Sequence, residues 1–313
     1  MRYAALILFY DCDRFILKAI ENCAPHVEKI YISYSPYPWS YNPEAREKFR
    51  NPSDPKLIQQ SKYLDKIEFV EGDWPTEEAQ RNEVLDKAKV EGFDYLIIQD
   101  ADEFYLPEEF QKNLQQIEEN PDYSYYRNPW YLFWKSTRHI IICRYSYIMR
   151  GGKVEKSLSN TPIGYNMAFA LNLNKEVRFS RCRRPTHLDD FYVLDGLCYH
   201  LSYVMSDDQV ERKMQTYGHT NQINHCRWLR YKWYGWREST NNIHPFNPVM
   251  WKSAQRFTGA LPRELVDFED PSHSSRSLGW SVRLLEYVVD LELILKNHAI
   301  RTLLWIRSHV IKK

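Results

Sequence analysis

No apolar run in this 313-residue chain is long enough to span a membrane. The run nearest the start, Tyr3–Tyr10, stops at Asp11 and Asp13 and lacks a small-residue cleavage site. It reads as a first buried strand rather than a signal peptide. An excess of one charge is missing too. Lys and Arg number 42 against 41 Asp and Glu, a net charge of +1, which points away from a general nucleic-acid binder. The cysteines, Cys12, Cys23, Cys143, Cys182, Cys198 and Cys226, form no Cys-x-x-Cys pair, which argues against zinc. Their scattered spacing fits reduced thiols in a cytoplasmic protein. Internal repeats and low-complexity tracts are absent.

Aromatic residues are abundant, at 15% with 23 Tyr and 10 Trp. They either fill a Tyr-rich core and surface or stack on sugars or a base, since rings bury large areas and keep a polar handle.

Residues 1–120 alternate between strand and helix patterns. Ala4–Tyr10, Lys29–Ser33, Lys66–Val70 and Tyr95–Gln99 read as strands, and Arg14–Asn22 and Thr76–Val90 as helices, with Thr76 able to cap the second. This order implies a mainly parallel sheet with helices outside. Pro36, Pro38, Pro43, Pro52 and Pro55 interrupt a long loop, the best candidate for a mobile segment. Residues 121–205 are rich in Tyr, Trp and β-branched residues, and Trp130–Trp134, Arg138–Met149 and Met167–Leu173 read as partly antiparallel strands. Gly151-Gly152 reads as a turn. Residues 206–313 return to helix, with Asp207–Tyr217 and Ser281–Asn297 as candidates. The expected division is a catalytic unit at 1–205, with a nucleotide-sugar half at 1–120 and an acceptor half at 121–205, and a helical extension at 206–313.

The sharpest local signal is the stretch Tyr95-Leu96-Ile97-Ile98-Gln99-Asp100-Ala101-Asp102-Glu103. An apolar strand ends abruptly in acidic residues, and open α/β sheets bind ligands outside the carboxyl ends of their strands. Three carboxylates within four residues repel one another unless a cation is present. Oxygen ligands suit Mn²⁺ or Mg²⁺. A solvated acidic loop is the plainer alternative.

This stretch resembles the Asp-x-Asp motif of GT-A glycosyltransferases, especially the family 2-like enzymes. The order of Tyr3–Tyr10, Gln80-Arg81-Asn82 and Tyr95–Asp102 carries the resemblance over roughly residues 1–215. It implies an α/β, Rossmann-like GT-A fold and a metal held by Asp100 and Asp102. His200, in Gly196-Leu197-Cys198-Tyr199-His200, is similar to a strand histidine that can complete the metal shell. A buried structural histidine is the alternative. The resemblance sets Arg81 toward the diphosphate, against an ion pair with Glu77 or Glu78. It sets Tyr10, Asp11, Ser33 and Ser35 around base and ribose, with Tyr37 or Trp39 near by. Ser33-Tyr34-Ser35 replaces the acidic residue usual after the second strand.

The implied activity is transfer of a sugar from a nucleoside-diphosphate sugar to a glycan or glycoconjugate hydroxyl, inverting and non-processive. Neither the family's usual base motif nor the Gln-x-x-Arg-Trp of its processive members is present. Asp190 and Asp189 are the candidates for the base an inverting transfer needs, followed by His187 and Asp195. The segment 301–313 mixes basic and apolar residues. It is read as a helix packed on the catalytic unit, or as a helix resting on a membrane surface. Two other functions compete. A nucleotidyltransferase shares the α/β sheet and acidic ligands, but its Gly-rich loop is absent after Tyr10-Asp11-Cys12-Asp13-Arg14. A carbohydrate-binding protein explains the aromatics but not the acidic strand end.

Overall fold

The computed structural model describes the chain except residues 151–152, 165–166, 219, 221–223, 246–249, 276–277, 282, 289, 292–294 and 296–313, and except the side chains of 147–150 and 153–157. β1 (Tyr3–Phe9) is buried along its whole length. Its side chains alternate between two cores, as a two-residue repeat requires. Ala5, Ile7 and Phe9 pack with Phe15, Ile16, Ala19 and Ile20 of α1 (Asp13–Cys23). Ala4, Leu6 and Leu8 face the other side. β2 (Lys29–Tyr34) is followed by a loop carrying α2 (Pro43–Lys48). Next come β3 (Ile67–Glu71) and α3 (Glu77–Val90), which places Val84, Leu85 and Ala88 on that second core. Thr76 Oγ1 caps α3 by accepting from Ala79 N at 3.3 Å. β4 (Tyr95–Ile98), β5 (Glu103–Phe104) and α4 (Pro107–Glu119) close this stretch.

The next stretch is mostly strand: β6 (Tyr125–Asn128), β7 (Trp130–Trp134), β8 (Ser136–Arg150), β9 (Lys153–Thr161), β10 (Met167–Asn172), β11 (Phe179–Arg181), β12 (Arg184–Pro185), β13 (Phe191–Val193) and β14 (Cys198–Tyr203). Then come α5 (Asp207–Thr216), opened by a Ser206–Gln209 capping box, α6 (His225–Trp228) and β15 (Trp251–Arg256).

The central sheet has the order β13-β6-β10-β4-β1-β2-β3. β3, β2, β1 and β4 are parallel, and β10 enters antiparallel between β4 and β6. The fold is therefore α/β with a mostly parallel, Rossmann-like central sheet. A second sheet, β15-β8-β7-β14-β5, also carries β9 on β8. The two expected halves interleave. β10, β6 and β13 extend the first sheet, while β5 forms the edge of the second.

Much of the aromatic content is core. Trp134, Trp233, Trp251, Tyr31, Tyr95, Tyr105 and Tyr126 are among the largest fully buried side chains. None of the six cysteines is in a disulfide. Residues 281, 283–288, 290–291 and 295 of the expected helix at 281–297 are helical. The expected Gly151-Gly152 turn and the 301–313 helix lie outside the described residues. No helix among the described residues is long and apolar enough to cross a membrane.

Candidate active site

The carboxyl end of β4 is built as a tight, buried turn. Glu103 N donates to Asp100 O at 2.9 Å, and Asp100 N donates to Glu103 Oε2 at 3.2 Å. Gln99 Nε2 closes the turn on Glu103 O at 2.9 Å. Chain reversal then pairs β5 with β14, setting Glu103 opposite His200. Leu201 N donates to Asp102 O at 2.8 Å. The result brings His200 Nε2 to 3.5 Å from Asp102 Oδ1. Trp130 stacks on the His200 ring at 4.4 Å between centroids and 24° between planes. His200 Nδ1 is buried with no partner among the described residues.

Asp100 has a different neighbourhood. Its carboxylate takes Arg81 Nη2 at 2.8 and 3.0 Å and Arg183 Nη1 at 3.2 Å. Arg81 is buried at 1% exposure, and its Nε also reaches Glu77 at 2.9 Å. It thus braces the acidic turn, and the surface ion pair read from the sequence is a buried one. Arg183 escaped the sequence reading. It donates to Ile98 O at 3.0 Å, to Ala168 O at 2.7 Å and to Glu103, which is itself 1% exposed. Burial works against both carboxylates. At Asp100 the guanidinium groups of Arg81 and Arg183 win, holding its carboxyl below the usual range. At Glu103 burial and the Asp100 charge outweigh Arg183, and its carboxyl sits above the usual range.

α5 supplies the remaining charges. Gln209, Arg212 and Lys213 lie at i, i+3 and i+4, one face of a helix. Arg212 Nε meets Asp11 Oδ2 at 2.6 Å, and Gln209 Nε2 meets Asp11 Oδ1 at 3.3 Å. Lys213 Nζ donates to Ser202 Oγ at 2.7 Å and to Ser202 O at 2.8 Å. Burial lowers the Lys213 ammonium from its ordinary value, although Asp102, Asp11 and Asp100 pull the other way. Burial would raise the Asp102 carboxyl, but His200 and Lys213 overcome it and hold it below the usual range. The expected helical extension at 206–313 thus places Arg212 and Lys213 beside these carboxylates.

The residues expected around base and ribose divide. Asp11 stands at the carboxyl end of β1 with a left-handed φ of 53°. Asn51 fixes this edge, accepting from Asp11 N at 3.2 Å and donating to Phe9 O at 2.8 Å and Ser35 O at 2.9 Å. The proline-rich loop is thereby tied to the sheet. Tyr10 keeps a buried hydroxyl with no partner among the described residues. Ser33 is fully buried, and its Oγ accepts from Gln80 Nε2 at 3.0 Å. Ser35 Oγ turns back to Tyr37 O at 2.7 Å. Trp39 donates to Gln80 Oε1 at 2.9 Å. Ser33 belongs to the packing of β2 on α3, because a buried hydroxyl takes the nearest partner.

Asp189 and Asp190 lie away from the acidic turn. β13 pairs with β6, β6 with β10 and β10 with β4 in a register that aligns Phe191, Tyr125, Leu171 and Leu96. Asp190 is therefore level with Tyr95, at the opposite end of the sheet from Asp100. Standard strand spacings separate them by roughly 16 Å along the strands and about 14 Å across. Asp190 instead accepts from Ser124 N at 3.2 Å and from Ser124 Oγ, tying down the start of β6. His187 bonds Glu176 O at 2.7 Å at that same end. Asp195 faces α4, accepting from Gln116 Nε2 at 2.8 Å. Asp190→Ala is accordingly expected to lower stability by about 1–2 kcal/mol and to leave turnover within about twofold of wild type. Chemical unfolding and steady-state kinetics on the same preparation check both halves, and a large loss of turnover would return Asp190 to the site.

Gly164 holds the Trp130–His200 stack. A Cβ there would meet the Trp130 indole at 2.4 Å and Trp251 at 2.5 Å. Gly164→Ala should cost about 1–3 kcal/mol by overpacking. Scanning calorimetry reads this directly, and an unchanged melting temperature would show that Trp130 yields freely.

Among the described residues, no three His, Cys, Asp or Glu side chains are grouped so as to hold a metal ion. Asp102 and His200 fit as a two-donor pair of oxygen and nitrogen. The Asp100 carboxylate is held by Arg81 and Arg183.

No family model and no curated protein matches this chain. Among solved structures it is similar to HddC from Yersinia pseudotuberculosis, at 13% identity and a TM-score of 0.37, covering 62% of this chain and 90% of that one. It is also similar to S. aureus TarS 1-349, at 10% identity and a TM-score of 0.38, covering 75% of this chain and 71% of that one. Likenesses at this level assign no family.

Proposed function

We propose that this chain is a glycosyltransferase. It moves a sugar from a nucleoside-diphosphate sugar to a hydroxyl of a glycan or glycoconjugate acceptor, one residue at a time and with inversion. The observation that carries the reading is the edge where β1 and β4 end. There Asp102 meets His200, and Arg212 and Lys213 of α5 close over the carboxylates. A diphosphate needs such cations, and the carboxyl edge of a parallel sheet is where an α/β fold presents a nucleotide. Asp11 and Tyr10, at the end of β1, would meet the nucleoside. Asp102 and His200 would hold Mn²⁺ or Mg²⁺, and Asp100 would keep the turn in shape through Arg81 and Arg183. When bound, the metal supplies positive charge to the departing nucleoside diphosphate. Lys213 adds a fixed ammonium on the same side, and the Trp130 ring keeps His200 oriented.

Binding of UDP-, GDP- and dTDP-sugars should be measured by calorimetry with and without Mn²⁺, on wild type and on His200→Ala. One donor class is expected to bind, at least about tenfold more tightly with metal, and to lose that gain in the variant. Failure of every nucleotide sugar to bind under either condition would overturn the reading.

A further inference from the structure

A polar cavity, of about 360 Å³, lies between β8, the 237–242 loop and the helical residues 283–288 and 290–291. It shares no lining residue with the carboxylate edge. Arg144, Arg237 and Arg283 line it, together with Thr240, Asn242 and Asp290. Two buried atoms on this wall have no partner among the described residues. Arg144 Nη2 donates to Asn242 Oδ1 at 2.6 Å, but its Nη1 has no partner among the described residues. Asp290 Oδ2 accepts from Lys232 at 2.8 Å, but its Oδ1 has no partner among the described residues. Lys232 cannot serve further, because it also donates to Glu286 at 2.9 Å and to Asn241 O at 2.7 Å.

Buried polar atoms are almost always hydrogen-bonded, so an orphaned cation and an orphaned carboxylate oxygen on one wall describe a missing partner. The cation asks for an anionic oxygen, and the carboxylate asks for a hydroxyl donor. Three lining cations, Arg144, Arg237 and Arg283, stand against two carboxylates, Glu286 and Asp290, which Lys232 behind the wall already pairs, so the lining favours a negative ligand. The volume is that of a small-molecule site rather than of one or two waters. We propose that this cavity binds an anionic sugar, a sugar acid or a sugar phosphate, with its charged group on Arg144 and a hydroxyl on Asp290. The site is independent of the donor reaction proposed above.

Titration calorimetry on the full chain tests this, using glucuronic acid, glucose 6-phosphate, glucose and inorganic phosphate as probes. At least one anionic sugar should saturate, about tenfold or more tighter than glucose and than phosphate alone. Which of the two binds more tightly identifies carboxylate or phosphate as the anion. Arg144→Gln should weaken it by about tenfold or more. Arg237→Gln, at an exposed side chain that the fold does not need, should weaken it in the same direction. Asp102→Asn should leave it unchanged, which separates this site from the donor site. The proposal is overturned if neither anionic sugar binds, or if glucose or phosphate alone binds as well. It is equally overturned if both arginine variants match wild type or if Asp102→Asn abolishes binding.

Discussion

Asp102→Asn should lower nucleotide-sugar turnover by about 1,000-fold, roughly 4 kcal/mol of transition-state stabilisation. The substitution keeps shape and volume and removes only the charge. It acts where the structure gathers partners around the carboxylate: His200 Nε2 lies at 3.5 Å, with Lys213 on Ser202 close by. Asparagine is a poor ligand for a hard cation and leaves the Lys213 ammonium less well balanced, so both supports of the leaving diphosphate weaken together. The loss should fall on kcat more than on KM if Asp102 acts chiefly in the transition state. Single-turnover kinetics would show this. Chelation of wild type should reproduce the defect, and added Mn²⁺ should restore wild type but not the variant. Retention of more than about a tenth of wild-type turnover would remove Asp102 from the reaction centre.

Arg183→Met should cost about 3–5 kcal/mol of stability, the range for removing one partner from a buried ionic cluster. Methionine matches much of the length of the side chain but none of its five donors. Glu103, at 1% exposure, loses its cation, Asp100 loses one of its two, and Ile98 O and Ala168 O lose their donor. Arg183→Lys should recover only part of the loss, since an ammonium cannot reproduce the fork that spans two carboxylates and two carbonyls. Adding Glu103→Gln to Arg183→Met should recover more by removing the stranded charge. Equilibrium urea unfolding of the four proteins checks the order. A loss below about 1 kcal/mol for Arg183→Met would mean that water reaches the cluster and screens it.

The sequence made several elements plain because their signals are local. The continuous apolar run of β1, the apolar face of α1 and the Thr76 cap of α3 depend on neighbours within a few residues. The acidic end of β4 was equally visible, since an abrupt change from Ile98 to Asp100 needs no partner to be read. The i, i+3, i+4 spacing of Gln209, Arg212 and Lys213 was also present in the sequence, but nothing local says what that face meets. Arg183 carried no such signal. It sits in Arg181-Cys182-Arg183-Arg184, which resembles a solvated basic run, and only the hairpin of β11 and β12 turns its middle member inward.

Those strands and helices and the acidic turn were therefore legible in the sequence alone, through periodicity and the chemistry of adjacent residues, whereas elements such as α4 and β11–β13 carried no such signal. The tertiary structure decided which charges meet. It joined Asp102 to His200 by pairing β5 with β14, and Asp100 to Arg81 and Arg183 by burial. It also carried Asp189 and Asp190 to the far end of the sheet through the register of β13 on β6. Such pairings join residues far apart along the chain. They are set by strand order and by the cost of leaving a buried charge without a partner, and no short stretch of sequence records either.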